Sequence, residues 1–243
     1  MRHYLFCCVL VLTVLCAARG AQAQTADEIV ARNIEAKGGA EKLKAVTSMK
    51  MTGEMTMQGK TLPLTIYSKR PNLNRQEMVV GDFRVVNAFD GTTAWTVSPM
   101  TKMEPQALPP AAAEIMKASA DFDNALIDYK DKGHSVEFMG TEKLGAAEVY
   151  HLKLTMKSGQ VQHYYIDTKS GLEIRMAQEA EGRPGGEKQR LETELSEYRE
   201  INGIMLPHSV KQMIGNNVIG QMRIQKVEFN ALSDDSIFRM PKK

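Results

Sequence analysis

Residues 48–75 read SMKMTGEMTMQGKTLPLTIYSKRPNLNR, and the alternation in this stretch decides the fold. Apart from one glycine, every second position in its first half is a methionine: Met49, Met51, Met55 and Met57. Because successive side chains of a strand point to opposite faces, the pattern predicts a β-strand with one apolar face. A turn at Gly59-Lys60 then predicts an antiparallel hairpin. The second strand continues the alternation at Leu62, Leu64 and Ile66.

The apolar face of this hairpin has two interpretations. Methionine is flexible and specifies packing weakly, so a row of methionines suits a surface that adapts to variable apolar partners. Apolar alternation is also the ordinary signature of the core side of a sheet. The sequence leaves both interpretations open.

The first 23 residues have the pattern of a secretory signal peptide. A basic start is followed by an apolar run over residues 4–17 and a small-x-small cleavage site at residues 21–23, which predicts a mature chain from Gln24. The apolar run is too short for a membrane span. A lipidation site needs a small residue before its cysteine, whereas Leu15 precedes Cys16. We therefore expect an exported, periplasmic protein without a lipid anchor at Cys16.

Cleavage changes both the cysteine content and the charge. All three cysteines (Cys7, Cys8 and Cys16) lie in the signal peptide, so a disulfide, a thiolate nucleophile and a cysteine-bound metal are excluded. The full chain has 31 Lys and Arg against 29 Asp and Glu, and cleavage removes Arg2 and Arg19 and no acid. The mature chain is formally neutral. This balance argues against binding to nucleic acid or tight binding to anionic lipid surfaces.

The remaining chain predicts strands interrupted once by helices. Thr25 and Glu28 form a capping box that begins a helix, which two glycines end at Gly38 and Gly39. Five strands then form a meander that reaches Trp95. A proline-containing loop and two helices, over residues 111–119 and 121–130, precede a second meander that ends near residue 229.

These elements predict an α+β fold in one domain, residues 24–243. We count about eleven strands, and the short turns between them make neighbouring strands antiparallel. A sheet that wide twists and curls, which gives an incomplete barrel, or half-barrel, with helices covering its concave apolar face.

Motifs for catalysis or for metal and cofactor binding are absent from the sequence. The four histidines of the mature chain have no metal-ligand spacing, although His151 and His163 lie on adjacent predicted strands. A cross-strand pair is the interpretation we favour over a zinc site. No nucleophile elbow, phosphate-binding loop or dinucleotide-binding glycine run occurs. We expect no cofactor, no metal and no enzymatic activity.

Two short stretches resemble a known family. Residues 69–73 read KRPNL and residues 90–95 read DGTTAW, followed by a proline-containing loop at Pro99. In these stretches the chain is similar to the LolA-type periplasmic carriers that sort outer-membrane lipoproteins. The similarity covers about thirty residues closely and the order of elements over most of the mature chain. Asn74 departs from the family, in which an aromatic residue follows the motif, and the second meander is longer.

The resemblance implies a half-barrel whose apolar cavity receives acyl chains of lipids or lipoproteins. Together with the alternation, it predicts a cavity lined by Met49, Met51, Met55, Met57, Leu62, Leu64, Ile66 and Trp95. The predicted lid is residues 109–130, and the resemblance assigns its gating to Arg70. The partners would be lipids or lipoproteins and handover proteins of the inner or outer membrane, with the carrier a monomer. The alternative is a non-enzymatic envelope sensor or interaction module with the same fold.

Overall fold

The computed structural model describes residues 24–181 and 188–242. The predicted signal peptide, with its cleavage site and Cys16, lies outside these residues. Within them, no helix is long and apolar enough to cross a membrane.

The described part of the chain contains three α-helices, thirteen β-strands and two short 3-10 helices. The helices are α1 (Ala26–Ala36), α2 (Ala40–Ala45) and α3 (Pro110–Ser119). The first six strands are β1 (Ser48–Met57), β2 (Lys60–Lys69), β3 (Leu73–Val80), β4 (Phe83–Phe89), β5 (Ala94–Val97) and β6 (Gln106–Ala107). The next seven are β7 (Ser135–Leu144), β8 (Ala147–Thr155), β9 (Val161–Asp167), β10 (Glu173–Glu181), β11 (Lys188–Ile201), β12 (Ile204–Ile214) and β13 (Asn217–Phe229). The 3-10 helices are Pro99–Thr101 and Asp235–Phe238.

All thirteen strands belong to one sheet, in the order β6-β5-β4-β3-β2-β1-β13-β12-β11-β10-β9-β8-β7. Every neighbouring pair is antiparallel, and each pair except one joins strands that are consecutive in the sequence. The exception is β1 with β13, which fuses the two meanders into a single surface. The sheet does not close, because β6 and β7 remain its edges. The predicted α+β half-barrel is confirmed.

The seam between β1 and β13 depends on a glycine in the methionine strand. The pairing register shifts between Thr52 and Gly53, which marks a β-bulge. A Cβ atom on Gly53 would lie 2.0 Å from the carbonyl oxygen of Arg223 on β13. A side chain at this position would therefore push the two central strands apart, which explains the one interruption in the row of methionines.

The strand count and the second lid helix differ from the sequence prediction. The sheet has thirteen strands rather than about eleven. One of the additional strands is β6, which lies in the stretch predicted as a loop and pairs with β5. Helix α3 confirms the helix predicted over residues 111–119. The predicted helix over residues 121–130 is wrong, because residues 121–133, here called the cover segment, form a series of turns.

Side chains within the cover segment compete with a helix for its backbone amides. The Asp121 side chain accepts a hydrogen bond from the amide of Asp123, and the Asn124 side chain accepts one from Leu126. Asp128 has a φ of 50°, in the left-handed region. Such local bonds from Asp and Asn favour turns over helices, and they explain why residues with a helical apolar spacing form no helix.

Helix α1 packs on the second meander. The predicted capping box is present, with Thr25 and Glu28 bonding each other's backbone amides. Ile29 and Val30 pack with Leu126 of the cover segment and with apolar residues of the sheet. The sheet residues of this core are Leu152, Leu154, Tyr164 and Ile166. Helix α3 packs separately against Phe89 and Ala94 of the first meander.

Candidate functional site

The register of neighbouring strands defines two faces of the sheet. Met49, Met51 and Met55 point to the inner face, where they meet residues of β2 and β13 and where the helices and the cover segment lie. Lys50 and Thr52 point to the outer face. The predicted amphipathic ribbon is therefore present, with its methionines directed inward.

A cavity of about 210 Å³ lies between the inner face and the cover segment. Its apolar wall consists of Leu43, Val46, Met49, Phe122, Ile127, Leu195, Ile204, Met205, Leu206, Pro207 and Phe229. The remaining lining residues are Lys37, Asp123, Asn124, Glu173 and Tyr198. An apolar cavity of about 150 Å³ holds benzene, whereas drug-sized ligands occupy about 300–1,000 Å³. The cavity therefore has room for a small group or for one end of a longer chain.

Only one of the eight predicted lining residues, Met49, lies in the wall of this cavity. Met51, Leu64 and Ile66 lie beside it on the same face, around a gap that is too small for a water molecule. These side chains therefore fill the space that the sequence predicts for a ligand. The open volume lies at the Met49 end of the strand.

The other predicted inner-face residues continue toward the hairpin tip. Met55 is paired with Leu62 and is half-buried, and Met57 near the turn is 39% exposed. We call Met49, Met51, Met55 and Met57 the methionine ribbon. It runs along the inner face from the cavity to the solvent-exposed end of β1.

The prediction that Trp95 shares the cavity with the methionines is corrected by the strand register. Trp95 is paired with Ala88 on the outer face, is 1% exposed and packs with Val86. Its indole nitrogen donates a hydrogen bond to the carbonyl oxygen of Phe238, at 2.8 Å. Trp95 therefore belongs to a core on the opposite side of the sheet, which the C-terminal 3-10 helix covers.

One end of the cavity is polar. The ammonium of Lys37 lies 2.6 Å from the carboxylate of Glu173, with side chains that are 10% and 3% exposed. The Asn124 side chain donates a second hydrogen bond to the same carboxylate oxygen, at 3.3 Å. Tyr198 donates to the backbone carbonyl of Glu173, and burial raises the pKa of this phenol far above its usual value. The cavity is thus amphipathic, with charged groups at one end and an apolar wall.

Solved structures resemble this architecture, although no protein-family model and no curated protein matches the sequence. A LolA superfamily protein from Nitrosomonas europaea has a TM-score of 0.59 at 13% identity, and the match covers 89% of this chain and 98% of that chain. A DUF1329 family protein from Desulfovibrio piger has a TM-score of 0.62 at 11% identity, with the same coverage. The chain has a LolA-type fold. At these identities the fold is what the proteins share.

In this LolA-type fold, Arg70 lies at the edge of the cavity and connects helix α2 to the cover segment. Its guanidinium makes a bidentate ion pair with Asp123 and lies 4.7 Å from the centre of the Phe122 ring. It also donates to the backbone carbonyls of Val46, at 2.7 Å, and Leu43, at 3.1 Å. An ordinary exposed arginine would lack these partners. The gating role implied by the family resemblance stays a prediction.

The two motif stretches of the resemblance meet in space in this LolA-type half-barrel. A Cβ atom on Gly91, in the turn between β4 and β5, would lie 3.5 Å from side-chain atoms of Asn72 and Leu73. The amide of Phe122 donates to the carbonyl of Pro71, at 3.4 Å, so the cover segment also contacts this region. The similarity of sequence therefore maps to the place where the cover segment is held to the sheet.

Sequence reasoning missed Lys37 and Glu173. In an unbroken strand, Leu172, Ile174 and Met176 would share one face and Glu173 would lie on the other. A register shift between Glu173 and Arg175 breaks this alternation. Ile174 consequently packs on the outer face and Met176 on the inner face. The only signal in the sequence was an acidic residue within an apolar strand.

His151 and His163 are neighbours, as their adjacent strands suggested. Their ring nitrogens lie 2.8 Å apart on the outer face, and His151 also contacts Glu142. Burial lowers the pKa of both histidines. In residues 24–181 and 188–242, no group of three or more His, Cys, Asp or Glu is arranged to hold a metal ion.

Proposed function

We propose that the protein is a non-enzymatic periplasmic carrier that binds acyl chains of lipids or lipoproteins and shields them during transfer towards the outer membrane. The observation that carries this proposal is the cavity of about 210 Å³ between the curved sheet and the cover segment. Burial of each CH₂ group contributes ~0.8 kcal/mol, so even a short length of chain in this cavity adds substantial affinity.

The methionine ribbon supplies the path for the rest of an acyl chain. The cavity accommodates only one end of a long chain, and the half-buried side chains of Met51 and Met55 continue its apolar wall along β1. Methionine rotates easily, so the ribbon can pack on itself in the empty protein and separate around a chain. Both properties suit a carrier that has to release its cargo.

A sensor or interaction module with the same fold was the alternative in the sequence analysis. A space filled by the protein's own side chains would support that alternative. The space near Met51 is filled, but the space near Met49 is open. The open volume favours the carrier. That the protein is a monomer and has handover partners remains part of the proposal.

Native mass spectrometry of protein purified from cell envelopes tests the proposal directly. We expect co-purifying lipid and uptake of the neutral fluorescent probe N-phenyl-naphthylamine. Absence of both bound lipid and probe uptake would contradict the carrier function.

A matched pair of substitutions on β1 locates the site. Met51→Glu places a charge on the inner face beside the cavity, and we expect at least about a tenfold loss of probe affinity because an unpaired charge is costly among apolar groups. Thr52→Glu adds the same charge to the outer face and should leave affinity unchanged. A folded Met51→Glu variant that binds as tightly as Thr52→Glu would exclude the methionine ribbon from the site.

A further inference from the structure

The polar end of the cavity is built from rigidly held groups. Lys37 is the C-cap residue of α1, and its backbone carbonyl accepts a hydrogen bond from Met205 on β12, at 3.1 Å. Glu173 begins β10, and its backbone carbonyl accepts from Tyr198 on β11. Both ionic side chains are at least nine-tenths buried. Their positions are therefore fixed by the sheet and by α1 rather than by the mobile ends of surface side chains.

The ion pair leaves hydrogen-bonding capacity unused at the cavity. Among the described residues, Lys37 Nζ donates only to Oε1 of Glu173, and Oε2 of Glu173 accepts no hydrogen bond. An ammonium has three N–H donors, and a carboxylate accepts at both oxygens. A buried charged group that lacks part of its hydrogen bonds is unfavourable. The pair therefore presents one free acceptor and free donors to whatever enters the cavity.

The charges around the cavity are balanced. Lys37 pairs with Glu173, and Arg70 pairs with Asp123. An anionic head group would bring a further negative charge next to Glu173 without a free cation, and a cationic one would meet Lys37. Electrostatics at this end consequently favours a head group without net charge.

From these observations we propose that the cavity recognises a neutral head group that both donates and accepts hydrogen bonds, such as the amide or hydroxyl of a single-chain amphiphile. Its N–H or O–H donates to Oε2 of Glu173, and its oxygen accepts from Nζ of Lys37. The inference rests on the carrier function proposed above and adds to it the chemical class of the ligand. The attached chain leaves along the apolar wall toward Met49 and the methionine ribbon.

A panel of four ligands with the same alkyl chain tests this specificity by displacement of N-phenyl-naphthylamine from the full mature protein. Dodecanamide and dodecanol carry both a donor and an acceptor, methyl dodecanoate carries only acceptors, and dodecanoate is an anion. We expect dodecanamide and dodecanol to bind at least about tenfold more tightly than methyl dodecanoate and dodecanoate, because the ester and the anion offer no hydrogen-bond donor to Glu173.

The variant Glu173→Gln provides a second readout. It removes the negative charge but keeps the shape, so Lys37 becomes an unpaired cation beside the cavity. We expect the preference to reverse, with dodecanoate binding more tightly than dodecanol. Glu194→Gln is the matched control, because Glu194 belongs to an ion-pair cluster with Arg175 and Lys211, away from the cavity. It should keep the preference of the wild type.

The possible results separate this inference from the carrier function. Failure of all four ligands to displace the probe would overturn both. Displacement in which dodecanoate or the methyl ester binds as tightly as dodecanol would overturn the specificity and leave the carrier function standing. The wild-type panel decides the matter alone if Glu173→Gln does not fold.

Discussion

Replacement of Arg70 with leucine should release the cover segment from helix α2. The arginine holds Asp123 through two hydrogen bonds, stacks on Phe122 and bonds the carbonyls of Leu43 and Val46. Leucine keeps part of the apolar stem and removes every one of the polar contacts. All four of these partners line the cavity, so opening of the segment would expose the cavity more fully to solvent.

The expected magnitude follows from the exposure of the ion pair. Hydrogen bonds to charged groups contribute ~1.5–3 kcal/mol each, whereas fully exposed ion pairs contribute ~0–1 kcal/mol. The side chains of Arg70 and Asp123 are 25% and 23% exposed, which places them between these limits. We expect opening of the cover segment to become easier by about 2–3 kcal/mol, which corresponds to about 30- to 150-fold in its equilibrium constant.

Hydrogen exchange at individual amides measures this change. The amide of Ile127 donates to the carbonyl of Asn124 within the cover segment, at 2.9 Å, and should exchange faster by the same factor. Core amides such as that of Leu152 should be unaffected. Arg84→Leu is the control, because Arg84 is a largely exposed arginine paired with Glu77 on the outer face. Equal exchange at Ile127 in the two variants would refute the role of Arg70, and a uniform rise that includes Leu152 would indicate global unfolding instead.

Three further predictions concern regions outside the cavity. Trp95→Phe should lower the free energy of unfolding by about 1–3 kcal/mol in urea titrations, through loss of a buried hydrogen bond, without a change in ligand affinity. Burial lowers the pKa of His151 and His163, so the stability that they contribute is present above their usual pKa of about 6.5 and is lost as the pH falls from there through the lowered pKa. Thermal midpoints should therefore fall between about pH 7 and pH 5, and should fall less when both histidines are replaced by glutamine. The hydrogen bond from Lys130 lowers the pKa of Asp27, so the contact between the two side chains should be lost only as the pH falls below about 4. Hydrogen exchange of amides in the cover segment should then become faster in the wild type. The variant Asp27→Asn should show no such change with pH.

The sequence predicted those features that depend on local periodicity. The methionine alternation, the hairpin after it, the capping box at Thr25 and the helix predicted over residues 111–119 are all present. Each depends on residues a few positions apart. The half-barrel followed from the number of short turns, because a wide antiparallel sheet has to curl.

The features that the sequence did not predict depend on partners far along the chain. The inward direction of Glu173 results from a register shift against β9. The strand register places Trp95 on the outer face, where the 3-10 helix near the C-terminus covers it. The predicted helix in the cover segment does not form, because the side chains of Asp121 and Asn124 bind backbone amides that a helix would use. The spacing of apolar residues carries no information about this competition. The cavity is consequently displaced from the middle of the methionine ribbon to the end marked by Met49.

Because β1 pairs with β13, the sheet can be completed only when nearly the whole chain is present. The first strand in the sequence, β1, has one of its two partners at the far end of the chain, in residues 217–229. Closure of such a long loop is slow compared with the formation of hairpins. Before β13 is available, β1 and β12 each have an unpaired edge, and the apolar inner face lacks its complete concave shape. We therefore expect a chain truncated before β13 to aggregate or to require a chaperone, rather than to behave as a weaker version of the complete protein.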